Sequence, residues 1–193
     1  MNILVDTQPE SVTIDGREHP VNCDFRTCLR TIMAFEDNNL TPQEKAMILL
    51  GNIYPNMPEN AQDAVTQANW FLNGGETGEA DDQGESAPAM RLYSFEKDAG
   101  FIFAAFRQTH GIDLQKVELH WWEFLALFMD LGSETTFVQL VNLRKRIKTG
   151  KASKEERQAA REMGEMLELE EVDNRTLEDK VKEAEFLRLV RGN

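Results

Sequence analysis

Leu119-His120-Trp121-Trp122-Glu123-Phe124-Leu125-Ala126-Leu127-Phe128-Met129-Asp130-Leu131 is the most apolar run in the chain and holds two of its three tryptophans. Trp121, Phe124, Leu125, Phe128 and Leu131 recur at helical spacing, which gathers them on one face. Trp122, Leu127 and Met129 add apolar surface on the flanks, so the stretch predicts a helix apolar most of the way round. Such a helix belongs at the centre of a domain. It is too short to span a bilayer, which takes about 20 residues. A core helix is therefore expected here, and function has to be sought in what surrounds it.

Downstream, Gly132-Ser133-Glu134 supplies a stop followed by a cap. The next helix carries Phe137, Leu140, Val141 and Leu143 and ends in Arg144-Lys145-Arg146-Ile147-Lys148 before Gly150. Cations at a helix C-terminus are favoured by the macrodipole. This is nevertheless the one basic cluster of an acidic chain, extended by Lys151 and Lys154. Arg144, Lys145, Arg146 and Lys148 are thus candidate contacts for the chain's own acidic stretch, another subunit or an acidic partner. Ser153-Lys154-Glu155-Glu156 opens a charged helix by a capping box, with Ala159, Met163, Met166 and Leu167 on one side. Asn174 or Thr176 starts a last helix with Leu177, Val181, Ala184 and Leu187 in near-heptad steps. These narrow seams suit peripheral helices packed on the chain's own core, or helices that order against a partner, and methionine repacks readily against unlike surfaces. Met163, Met166, Leu167, Leu177, Val181 and Leu187 are the candidate partner-binding residues of this tail.

Upstream, helical patterning runs from Ser94 with Phe95, Ala99, Ile102, Phe103 and Phe106 on one face, ending at Gly111. Ile112-Asp113-Leu114 then connects to the tryptophan helix. Near the start of the chain, Ser11 to Val21 alternates around Asp15-Gly16, a hairpin signal, and Ile3, Leu4 and Val5 are a candidate third strand. Asp24 is placed to cap a helix bearing Phe25, Leu29, Ile32 and Met33. Thr41-Pro42-Gln43-Glu44 starts another, with a capping box and proline at the first helical position; it carries Ala46, Met47, Leu49 and Leu50 to about Gly51. A third helix is predicted from Glu59 to Leu72, burying Ala61, Val65, Ala68 and Leu72. Gly74 to Ala89 differs in kind: it is acidic, lacks bulky apolar residues and has the composition of a disordered linker or loop. Asp81, Asp82 and Glu85 lack the ligand spacing of a calcium-binding EF-hand loop.

The expectation is a mainly α protein with a small N-terminal β-hairpin, divided into four segments. Residues 1–73 hold the hairpin and first helices, 74–89 the acidic linker, 90–150 the tryptophan-rich core and 151–193 the amphipathic tail. The formal net charge of -13 opposes nucleic-acid and anionic-membrane binding, which require positive charge. Cys23 and Cys28 are the only cysteines, with the spacing of no metal or redox motif, as in a cytoplasmic protein. The sequence contains no P-loop, GxGxxG, GxSxG or HExxH motif, and His19, His110 and His120 are scattered. His120 is expected as a ring packed at a helix start. No catalytic residue, cofactor or metal ligand is predicted.

Several motifs together carry a resemblance. They are Phe95-Glu96-Lys97-Asp98, the apolar run to Phe106, His110-Gly111-Ile112-Asp113-Leu114, Leu119-His120-Trp121-Trp122-Glu123-Phe124, and Arg144 at the end of the following helix. This pattern resembles the bacteriophage gene-product-fifteen family of siphophages and prophages of Gram-positive bacteria. His110 stands where that family usually has tyrosine. The resemblance is strongest from Tyr93 to Lys148. It implies a tail assembly chaperone that coats the tape measure protein in the host cytoplasm until tail tube subunits displace it. Such a protein is expected to be absent from the mature virion, to associate with itself when coating its client, and to perform no chemistry. The competing classes are a minor structural or connector protein of the tail, and an enzyme or regulator with an unfamiliar site.

Overall fold

The computed structural model describes residues 2–76 and 90–169. Its hairpin pairs β1 (Ser11–Ile14) with β2 (Arg17–Pro20) in antiparallel register, Ile14 opposite Arg17 and Ser11 opposite Pro20. Asp15 and Gly16 both take positive φ, as a two-residue turn matched to strand twist requires. Alternation sends Val12 and Ile14 into the core, where β1 packs on the third helix. The proposed third strand is absent. Ile3, Leu4 and Val5 lie in an exposed turn closed by Val5 and Asp6 N–H bonds to the Asn2 carbonyl. Three apolar residues in a row have no alternation with which to choose a face.

Three helices follow: α1 (Phe25–Glu36), α2 (Pro42–Ile53) and α3 (Ala61–Leu72). Asp24 caps α1 by accepting from the Arg26 and Thr27 amides, and Thr41 with Glu44 forms the expected capping box on α2. The faces differ from those read in the sequence. In α2 Met47 is exposed, while Lys45 is buried with Leu49, Leu50 and Ile53. The Lys45 ammonium donates to the Phe35 carbonyl at the end of α1, where the helix dipole favours a cation. In α3 the buried set is Ala64, Ala68, Phe71 and Leu72, leaving Ala61 exposed. Two alanines let neighbouring backbones approach, a role that a hydrophobicity count undervalues.

Beyond the acidic stretch come α4 (Ala99–His110), α5 (Trp121–Met129), α6 (Thr136–Lys148) and α7 (Lys154–Met163), then a 3-10 turn at Gly164–Met166. α4 starts later than the patterning suggests, because Ser94 to Asp98 form a turn. The cap of α6 is Thr135, which accepts from the Val138 amide, rather than Ser133 or Glu134. Among the expected linker residues only 74–76 are described, with 77–89 outside the described residues.

The tryptophan helix is the centre of the packing. Trp121, Phe124, Phe128 and Leu131 are buried as expected, with Trp122, while Met129 at the last turn is exposed. The Phe124 ring lies nearly parallel to those of Phe25, Phe106, Trp121 and Phe128, with centroids 5.0 to 6.0 Å apart. Offset contacts of this kind add about 0.5–1.5 kcal/mol each beyond area burial. The starts of α5 and α1 are stitched by two backbone bonds, Phe25 N–H to Leu119 O and Trp121 N–H to Cys23 O. One contiguous core runs from Val12 to Phe137, so residues on both sides of 77–89 contribute to it.

The two tryptophans also terminate α3. The Trp122 indole N–H donates to Phe71 O at 2.8 Å, and that of Trp121 to Leu72 O at 2.9 Å. These are end-of-helix carbonyls that lack intrahelical partners. Gly74 and Gly75 close the same end with bonds to Phe71 O and Trp70 O, both at positive φ. A methyl group on Gly75 would meet Trp122 Cη2 at 2.6 Å. The indole cannot retreat without losing its hydrogen bond. Gly75→Ala is therefore expected to cost about 1–3 kcal/mol in urea unfolding. Gly111→Ala, equally left-handed but facing open space, should cost only about 1 kcal/mol.

Candidate partner-binding surfaces

Asp98 and Arg144 form a fully buried pair that organises the C-terminal half. Arg144 Nη1 lies 2.6 Å from Asp98 Oδ2 and Nη2 lies 3.0 Å from Oδ1, a two-pronged match of guanidinium and carboxylate. The side chains are 2% and 1% exposed. The remaining Arg144 donors reach Leu92 O, Met166 O and Leu167 O, and Asp98 Oδ2 also accepts the Ser94 amide. Every polar edge of the pair is satisfied, which a charge removed from water requires. This corrects the expectation that Arg144 belongs to an exposed basic cluster. The i+4 step from Leu140 places it on the buried face of α6, and burial is tolerated because Asp98 waits there. The sequence carried a signal for this, since Phe95-Glu96-Lys97-Asp98 and the arginine at the end of α6 belong to one pattern.

The other cations of that cluster are on the surface. Lys145 and Lys148 are exposed, and Arg146 pairs with Glu156 at 2.8 Å, tying α6 to the start of α7. That pair is partly solvated and contributes less than about 1 kcal/mol. Ser153 and Glu156 form the predicted capping box of α7. No residue of α7 is buried. Met163 and Leu167 are half-buried and Met166 is 48% exposed, so the seam is partly covered by Arg144's hold on the 166–167 carbonyls. Ala159 is exposed. Leu177, Val181 and Leu187 lie outside the described residues.

His120 is a cap. Its Nδ1 accepts the Trp122 amide at 3.0 Å, which leaves Nε2–H to donate to Pro9 O at 3.0 Å. His110 Nε2 meets Leu127 O at 2.9 Å, a contact that a tyrosine hydroxyl could also donate. Asp113 accepts the Gln115 amide and pairs with Arg107 and Lys116, holding the 112–117 connection. Among the described residues no group of three or more His, Cys, Asp or Glu is placed to hold a metal ion. No helix among them is long and apolar enough to cross a membrane.

Two hollows were not legible in the sequence. One is polar, about 380 Å³, lined by Glu36, Arg91, Ser94, Glu96, Lys97 and Leu169. There Glu36 bonds Arg91 at 2.6 Å and Ser94 at 3.2 Å. Burial pushes its carboxyl above the ordinary glutamate range, and Arg91 offsets only part of the effect. A folded-state pKa above the unfolded one means that the stability from this group is greatest below the unfolded value. It is lost as pH rises through the folded value. A carboxyl-carbon NMR titration should place Glu36 above the exposed glutamates, and Glu36→Gln should abolish that part of the pH dependence. The second hollow is an apolar groove of about 420 Å³ between α1, α4 and the 112–117 connection.

These features define a helical protein with a small hairpin, held by an aromatic ladder and a buried ion pair. The family description Bacteriophage Gp15 protein matches residues 4–169, and the chain belongs to that family. No curated protein matches the chain, and no solved structure does. Family membership supports a structural or assembly role in a bacteriophage.

Proposed function

We propose that the chain is a tail assembly chaperone: a non-catalytic protein that binds the tape measure protein in the host cytoplasm and keeps it soluble until the tail tube forms. The observation that carries this reading is α7 and its 3-10 turn. This amphipathic segment is held to the body by the Arg146–Glu156 pair and by Arg144 on the Met166 and Leu167 carbonyls, yet leaves Met163, Met166 and Leu167 partly uncovered. Such a surface shields a long amphipathic client helix, and methionine accommodates many unlike client segments. The matched region ends at residue 169, so these three residues lie within what the family shares, whereas Leu177, Val181 and Leu187 lie beyond it. Exposed Lys145 and Lys148 would meet the acidic surface of a neighbouring copy as several copies line up along the client. The high net negative charge keeps unbound copies soluble.

Mass spectrometry of purified particles against infected-cell lysate tests this reading. The protein should be abundant in the lysate and absent from the particle. A fixed copy number in the particle would instead make it a minor structural or connector protein of the tail.

A further inference from the structure

We propose that the outer flank of α5 is a docking face for an amphipathic helix of another protein, one whose apolar side is bordered by lysine or arginine. This inference does not depend on the chaperone reading, and it uses residues other than those of α7.

α5 is more apolar than one buried side requires. Trp121, Phe124 and Phe128 face the core. Trp122 is covered by the end of α3, with the Trp70 ring edge-on at 5.5 Å and Gly75 against its indole. α3 stops there, and the flank beyond it is bare. Leu125 is half-buried beside Gly74, Ala126 is exposed and Met129 is 83% exposed. With half-buried Trp70 at one end, these residues form an apolar stripe at steps of three and four along α5. From Trp122 to Met129 it runs about 10 Å, roughly two turns of a helix lying alongside. A partner would meet it with residues at i, i+3 or i+4, and i+7, and the Met129 side chain adapts to their shapes.

Charge selects the occupant. Glu123 and Asp130 border the stripe on the solvent side of Ala126, and Glu76 stands at its Trp70 end. None of the three has a side-chain hydrogen bond or ion pair among the described residues. Glu123 gains from the dipole at the first turn of α5, but Asp130 caps the other end, where the dipole disfavours an anion. The fold therefore gives Asp130 no counter-charge. No lysine or arginine occurs between Lys45 and Arg91, so the end of α3 adds none either. A helix with cations along the edges of its apolar side meets all three acids. A second copy is the poorer occupant, because face to face it sets acids against acids in chains of net charge -13. Residues 77–89 contain no bulky apolar side chain with which to fill the stripe.

The test uses the full chain and two synthetic peptides of about 18 residues, long enough to form a helix on binding. Both carry the same leucine stripe, bordered in one by lysine and in the other by glutamate. Anisotropy of a fluorophore on the peptide should show the lysine peptide binding at least about tenfold tighter than the glutamate peptide. Ala126→Glu with Met129→Glu should weaken that binding about tenfold or more, while Met47→Glu, at a methionine exposed elsewhere, should leave it unchanged. Glu123→Lys with Asp130→Lys should shift the preference toward the glutamate peptide. All these positions are exposed, so urea unfolding should confirm that each variant folds as the parent does. No binding of the lysine peptide, equal binding of both peptides, or binding unaffected at 126 and 129 would overturn the proposal. So would sedimentation showing that the substitutions at 126 and 129 dissolve a dimer of this chain.

Discussion

Replacing Arg144 by alanine should destabilise the protein by about 3–5 kcal/mol, because Asp98 is left charged and unpaired away from water. The same substitution on an exposed helix end would change stability by less than about 0.5 kcal/mol. Urea unfolding distinguishes the two outcomes directly. Arg144→Lys should recover little, since an ammonium cannot match both carboxylate oxygens and still reach Leu92 O, Met166 O and Leu167 O. Hydrogen exchange should rise at residues 164–169 in Arg144→Ala, because that segment is held through carbonyls bonded to this guanidinium. Unchanged exchange there would mean that α7 and its turn are anchored by something else.

Trp121→Ala should cost about 3–5 kcal/mol, the range for a large buried aromatic. Two losses add: the ring leaves a cavity beside Phe124, and Leu72 O loses its donor at the end of α3. Trp121→Phe separates them. It keeps most of the packing and removes the hydrogen bond, so about 1–3 kcal/mol should remain, the cost of one unsatisfied buried acceptor. If Trp121→Ala keeps full stability while binding to a partner is lost, the ring belongs to a surface groove rather than the core.

Much of the fold was legible where local chemistry acts alone. Asp15-Gly16 specified its turn, Asp24, Thr41 and Ser153 specified helix starts, and the apolar spacing of Trp121 to Leu131 specified the central helix. What escaped depends on tertiary partners. Arg144 reads as a surface cation until Asp98, 46 residues earlier, is found against it. Lys45 reads as solvent-exposed until the end of α1 supplies the Phe35 carbonyl. On α3 Ala68 and Leu72 were legible, but Ala64 and Phe71 were not, because the helix turns them rather than Ala61 and Val65 onto its neighbours. The motif residues turn out to have structural work: His120 caps α5, Trp121 and Trp122 finish α3, Asp113 holds a connection, and Asp98 with Arg144 closes the interior. The candidate binding residues were legible only as amphipathic spacing. That spacing fixes which side of a helix is apolar without fixing what covers it.

Coexpression of tape measure segments with this protein tests the chaperone reading most directly, with the soluble fraction of the segments as the measured quantity. The protein should keep the segments soluble and coelute with them in several copies, and Met163→Glu with Leu167→Glu should abolish the effect while unfolding curves stay close to those of the unaltered protein. Segments that precipitate equally with and without the protein would contradict the reading.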